Sequence, residues 1–253
     1  MAVDEAIARQ AAAGHVPPTV RFYMWNPPCI SLGRHQPLKE IDLLRAREAG
    51  VDVVRRPTGG RAILHVDELT YSVAGPTSEP RLAGPVLDCY LRLSEALTWG
   101  LERLGLSVYK ASANARAGND VSAACFEVPS AYEIVTLDGK KIVGSAQVRK
   151  RDWMLQHGAI PLWGDVTRLV DYLALEPEAR ERLRAALAAR ATSISAALGR
   201  QVTFEEVAEV LAQGFATVLN LDLIPEDLTD EERQLAHQLE QDIYANPTWT
   251  ERV

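Results

Sequence analysis

Apolar residues recur at intervals of three and four between positions 85 and 104, at Val86, Tyr90, Leu93, Leu97, Leu101 and Leu104, and Gly105 follows. That period turns one face of a helix toward a core, and a glycine after the last turn ends a helix with least strain. Residues 1–13 carry a second helical stripe through Ala2, Val3, Ala6, Ile7 and Ala13. Strand-length apolar runs occupy 20–23, 29–33, 61–65 and 69–73, the first two parted by Asn26, Pro27 and Pro28. A short helix is predicted over 41–49, stopped by Gly50. Residues 111–123 are small and polar without a period, which predicts a mobile loop leading to Cys125. Beyond it, 132–137, 141–148 and 154–161 predict a β-meander whose first turn is Asp138-Gly139. After Trp163 the chain turns helical, with Asp165 as an N-cap and helices at about 178–190, 203–218 and 229–243. Short strands, tight turns and no strict βαβ alternation predict an α+β fold. Its sheet is mixed and mainly antiparallel, flanked by helices, in one domain over 1–253 with a small helical region from about 165.

Composition narrows the class. With 253 residues, 47% of them hydrophobic, the chain can bury a sizeable core. No run approaches the ~20 apolar residues of a membrane span, and the first residues show no charged-then-apolar signal pattern. Three cysteines (Cys29, Cys89, Cys125) without a C-x-x-C pair argue against a disulfide framework or a metal site, and for a reducing cytoplasm. A net charge of −7 speaks against nucleic-acid binding. Charge is nonetheless uneven, since Lys140, Lys141, Arg149, Lys150 and Arg151 crowd into one short segment. That segment reads either as a solvated hairpin or as a docking face for an acidic carrier protein.

The stretch RRPTGGRAILHVDELT at 55–70 holds the densest chemistry. Gly59 and Gly60 allow close backbone approach to a ligand, and Arg55, Arg56 and Arg61 bring forks that suit carboxylate or phosphate. Taken alone, a Gly-Gly turn with solvated arginines explains it as well. The whole string, however, resembles the R-R-x-[TS]-G-G-[RG] loop and following histidine strand of the lipoate–protein ligase, biotin–protein ligase and octanoyltransferase superfamily. CFEVPSAYE at 125–133, KIVGSAQ at 141–147 and LQHGAI at 155–160 then resemble motifs of its cysteine-dependent octanoyltransferase branch. The likeness runs from Met1 to about Pro225 and implies a class II synthetase/biotin-ligase-like fold.

The resemblance assigns roles. Cys125 matches the acyl-thioester cysteine and Lys141 the lysine that activates it, a role an ammonium beside a thiol fits by favouring the thiolate. The Asp138-Gly139 hairpin is expected to bring Lys141 back alongside the strand after Cys125, while pleating turns Lys140 to the opposite face. Substrate contacts are expected from Arg56, Thr58, Gly59, Gly60, Arg61, His65, Gly144, Ser145, Ala146, His157 and Gly158. His65 belongs to the cavity wall and His157 to its rim. The small run 144–146 suits an acyl tunnel, or equally a strand packed closely on a helix. Ile63, Leu64, Ile142, Val143 and Ile160 are core by default, some lining the tunnel, while Cys29 and Cys89 are core. One departure stands out: the family's acidic residue after the histidine is Val66 here, with Asp67 next.

The implied activity is transfer of octanoate from acyl carrier protein through Cys125 to a lysine of the glycine cleavage H protein or another lipoyl domain. It calls for no cofactor, ATP or metal beyond the donor's own phosphopantetheine. Rival readings are an ATP-dependent lipoate ligase, which does not require Cys125, a lipoyl-domain amidotransferase, and a non-catalytic acyl-binding protein.

Overall fold

The computed structural model describes residues 1–111 and 133–253; the 111–123 loop reading, apart from Ala111, and Cys125 itself lie outside the described residues. In chain order the elements are α1 (Ala2–Ala12), β1 (Thr19–Tyr23), β2 (Cys29–Leu32), α2 (Leu43–Glu48), β3 (Asp52–Arg55), β4 (Ile63–His65), β5 (Glu68–Pro76), α3 (Val86–Arg103) and β6 (Val108–Lys110). The second part holds β7 (Ile134–Thr136), β8 (Lys141–Arg149), β9 (Trp153–Pro161), α4 (Pro177–Arg190), α5 (Ile194–Leu198), α6 (Phe204–Leu219), α7 (Asp230–Leu239), a π-helical turn at Glu240–Tyr244, and α8 (Pro247–Thr250).

A six-stranded antiparallel sheet runs in the order β1-β5-β9-β8-β7-β6, and a three-stranded sheet in the order β3-β2-β4. Only the β2–β3 pair is parallel among the described strands, so the arrangement is mixed and mainly antiparallel, as the α+β reading requires. One face of the large sheet packs on α3 and α6, joining Leu69, Tyr71, Val73, Met154 and Ile160 to Leu93, Leu97, Leu211 and Phe215 in the main core. The other face is shared. Helix α1 covers one end, where Ile7 and Ala8 meet Ala74 and Leu155. The small sheet, with α4 on its far side, stands opposite the rest.

The helix-rich part after 165 is spread over the body. Helix α6 lies against α3, α4 against the small sheet and α7 against α1. Helices α1, α2 and α3 are trimmed at their ends, whereas β5, β8 and β9 run past the expected strands. The helix expected behind Asp165 is a 3-10 turn, Arg168–Tyr172, with the Asp165 carboxylate accepting from the Thr167 amide. Elements β6, α5 and α8 have three, five and four residues, too few to display a period.

The basic segment does not form one patch. Lys141 opens β8 and Arg149 closes it, a separation of about 26 Å at ~3.3 Å per residue. Lys141 is buried, and Arg149 donates to the Leu82 carbonyl at 2.6 Å. Sequence neighbours on a strand become spatially remote because the strand is extended.

Candidate active site

Between the two sheets lies a pocket lined from both sides. Its wall comes from Ser31, Arg56, Gly59, Gly60, Ile63 and His65 on the small-sheet side. Thr70, Gly144, Ser145, Ala146, His157, Gly158 and Ala159 supply the large-sheet side. Nine of the expected contact residues therefore meet in one place: Arg56, Gly59, Gly60, His65, Gly144, Ser145, Ala146, His157 and Gly158. Register explains the large-sheet side. Gly144 faces Ala159 and Ala146 faces His157, so small side chains from adjacent strands share one row.

The polar side chains of this wall bond one another. His65 Nδ1 lies 2.6 Å from Glu68 Oε1, and its Nε2 lies 2.7 Å from Ser31 Oγ. Glu68 Oε1 also accepts from Thr70 Oγ1, which in turn accepts from the Trp25 indole at 2.8 Å. Arg56 Nη1 also donates to Ser31 Oγ, which ties the serine into the same network. Trp25 stacks on His65 with ring centroids 4.4 Å apart. The sequence assigned no site role to Ser31, Trp25, Glu68 or Thr70; the pairing of β2 with β4 brings Ser31 to His65, while Glu68 lies three residues along the chain.

The carboxylate beside His65 belongs to Glu68 and not to Asp67. Asp67 sits at φ 53° in the β4–β5 turn, where its carbonyl accepts from Leu162 and Trp163 and its carboxylate pairs with Arg168 at 2.7 Å. It serves the turn and faces away from the cavity wall described above.

The two leading arginines bond the main chain around them. Arg56 donates to the carbonyls of Ser31, Gly59 and Arg61, and Arg55, fully buried, to those of Gly33, Arg34, Gln36 and Thr250. They hold the loop's shape. Arg61 stands outside the wall beside Glu40, 3.4 Å away. Thr58 lies behind the wall, with Oγ1 2.7 Å from His157 Nε2.

His157 is buried rather than at the rim. Burial is the main cause that pushes its pKa down to about 3, with Arg56 adding to it and Asp4 opposing. It is a neutral, hydrogen-bonded wall group at physiological pH. A stability effect follows. An exposed histidine in the unfolded chain titrates near 6.5, so acid stabilises the unfolded state first. The contribution is full above that pH and is lost as pH falls toward 3, by up to about 1.4 kcal/mol per pH unit. Denaturant titrations between pH 6.5 and 4 should show this slope in wild type and a flatter one in His157→Gln; equal slopes would refute it.

Lys141 reaches the same side of the sheet through a β-bulge. The β7–β8 register pairs Ile134 with Val143 but Val135 with Lys141, one extra residue on β8. Ile142 and Val143 both enter the α3–α6 core, as consecutive residues at a bulge do, and Lys141 turns to the face of Gly144. There its ammonium pairs with Glu133 at 2.5 Å, both groups being buried. Lys140 is part-exposed beside Asp138, 3.7 Å away, as pleating predicts. Cys29 and Cys89 are buried; burial pushes the Cys29 thiol up to about 12, helped by Asp52, and raises that of Cys89 as well.

The lipoyl protein ligase A/B catalytic domain family matches residues 1–216. The chain belongs to that family. Octanoyltransferase LipM of Carboxydothermus hydrogenoformans is 41% identical over 98% of this chain and 92% of its own length. Octanoyltransferase LipM of Moorella thermoacetica is 43% identical over 100% and 93%. Among solved structures, the bi-partite lipoate protein ligase of Thermoplasma acidophilum, studied with its E2 lipoyl domain, superposes with a TM-score of 0.82 at 25% identity, covering 99% of this chain and 89% of that one. A lipoate-protein ligase A bound with ATP gives 0.80 at 27%, covering 99% and 92%. This family member is therefore an acyltransferase on the lipoate–protein ligase fold. Among the described residues no helix is long and apolar enough to cross a membrane.

Proposed function

We propose that this acyltransferase takes octanoate from an acyl carrier protein onto Cys125 and passes it to a lysine of a lipoyl domain, the glycine cleavage H protein being one such acceptor. The observation that carries the reading is the cavity wall. Its polar side chains hydrogen-bond one another, so an aliphatic chain enters without stranding donors, and glycines and alanines leave room for it. That the relatives are octanoyltransferases supplies the chain length. Of the three cysteines in the chain, Cys29 and Cys89 are buried with raised thiol pKa values, which supports Cys125 as the nucleophile.

In the first step the Cys125 thiolate attacks the donor's thioester carbonyl and the carrier's thiol leaves. In the second, the acceptor lysine attacks the acyl-cysteine, an amide forms, and the cysteine sulfur leaves. Neither step consumes ATP. The ligase reading shares the fold, but Arg55 and Arg56 bond main-chain carbonyls, which disfavours the loop as a triphosphate clamp.

Intact mass spectrometry tests the reading. Mixed with octanoyl-acyl carrier protein and no ATP, the protein should gain one octanoyl group that hydroxylamine removes and that Cys125→Ala never acquires. Cys29→Ser and Cys89→Ser should still acylate. Acylation only with free octanoate or lipoate plus ATP would move the protein to the ligases. Acceptance of octanoyl-H protein but not the carrier donor would make it an amidotransferase.

A further inference from the structure

Residues 247–253 lie beyond the family match, which ends at 216, yet they bond Arg55 at the entry to the Gly-Gly loop and the turn after β2. Trp249 donates its indole N–H to the Arg55 carbonyl at 2.8 Å, and the Thr250 carbonyl accepts from Arg55 Nε and Nη2 at 3.1 and 2.7 Å. Arg252 donates to the Arg34 carbonyl at 3.3 Å, and the Val253 carbonyl accepts from the Leu38 amide at 3.2 Å. The Trp249 ring is itself fixed, with Tyr244 at its edge and the Arg252 guanidinium 4.1 Å from its centroid. Tyr244 is anchored in turn by donating to Glu5 of α1.

Arg55 passes this hold inward. Its Nη1 also bonds the carbonyls of Gly33 and Gln36 at 2.8 and 2.6 Å, so one buried guanidinium ties 250 to the turn after β2. That turn touches the loop directly. The Arg34 amide donates to the Thr58 carbonyl at 2.8 Å, and Gly33 stands so close to Gly60 that a Cβ on it would lie 1.8 Å from the Gly60 oxygen. Thr58 then bonds His157 in the cavity wall.

We propose that residues 247–253 are a strap that positions the 56–61 loop over the acyl cavity, with Arg55, Trp249 and Arg252 as positioning residues for acyl-donor binding. The proposal rests on the cavity being the acyl site. The strap fixes the loop because main-chain carbonyls, unlike side chains, cannot turn away from a buried fork without moving the chain. A shift of the loop by about 1 Å is enough to change turnover by up to ~10²-fold.

Hydrogen exchange followed by mass spectrometry, on wild type and a chain ending at Ala245, decides it. Amides of 56–61 should exchange at least ~10-fold faster in the shortened chain, while α3 and α6 keep their protection. The apparent KM for octanoyl-carrier donor should rise about 10-fold or more with a smaller change in kcat, and Trp249→Phe, which keeps the ring but loses the donor, should fall between. Should the shortened chain fail to fold, Arg55→Lys, which keeps the charge without the fork, is measured the same way. Unchanged exchange of 56–61 in a folded variant overturns the strap. A wild-type protein that takes no octanoate, but whose loop loosens as stated, would overturn the proposed function and leave the strap standing.

Discussion

Lys141→Ala is expected to lower octanoyl transfer about 10²- to 10³-fold, the range seen when one charged or hydrogen-bonding group is removed from a reacting centre. It should also destabilise the fold by about 3–5 kcal/mol, because Glu133 stays buried without the ammonium it pairs with. The two effects separate in Lys141→Met/Glu133→Gln. There the stranded charge is gone, so denaturant midpoints should return most of the way to wild type while transfer stays low. Recovery of transfer together with stability would show that Lys141 acts only by holding the fold. Pairing with Glu133 reduces the field Lys141 projects, so the manner of its action is open to measurement. If it stabilises the Cys125 thiolate, iodoacetamide alkylation in Lys141→Ala will shift to higher pH, with transfer partly restored in alkali. An unmoved alkylation profile with lost transfer would place the ammonium on the acyl carbonyl instead.

Gly33→Ala is expected to be nearly as damaging for so small a change. A Cβ there would meet the Gly60 carbonyl carbon at 2.7 Å as well as its oxygen at 1.8 Å, and both are backbone atoms that no rotamer change can remove. The loop must move outward, taking Thr58 from His157 and the Gly59-Gly60 backbone from the cavity. Overpacking of this kind costs about 1–3 kcal/mol of stability, and transfer should fall about 10²-fold through misplacement of the loop. Thermal unfolding with transfer kinetics on the same preparation checks both. Transfer at the wild-type rate would mean that the loop's position against β2 does not matter to the reaction.

Much of the site was legible because its signals are local. Gly59-Gly60 between arginines, the small run 144–146 and Gln156-His157-Gly158 each mark a backbone that must approach something closely, and the cavity gathers all three. What stayed hidden depended on partners distant in sequence. Arg55 and Arg56 looked like ligand forks, since nothing near them in the chain shows that carbonyls from 31, 33, 36 and 250 would surround them. The five basic residues around β8 crowd together in sequence, which hides the length of the extended strand between them.

Periodicity and turn residues act over a few positions, so the longer helices and strands, the α+β class and the residue types available for chemistry could be read from the chain alone. The tertiary structure decided which of those residues meet. It placed Ser31 beside His65 through pairing of strands far apart in the chain, opposite Glu68, which lies three residues along from the histidine. It turned Lys141 toward the cavity face through one extra residue in β8. It also brought 247–253 onto Arg55, about two hundred residues away along the chain, because a buried guanidinium must be surrounded by acceptors wherever the fold can supply them.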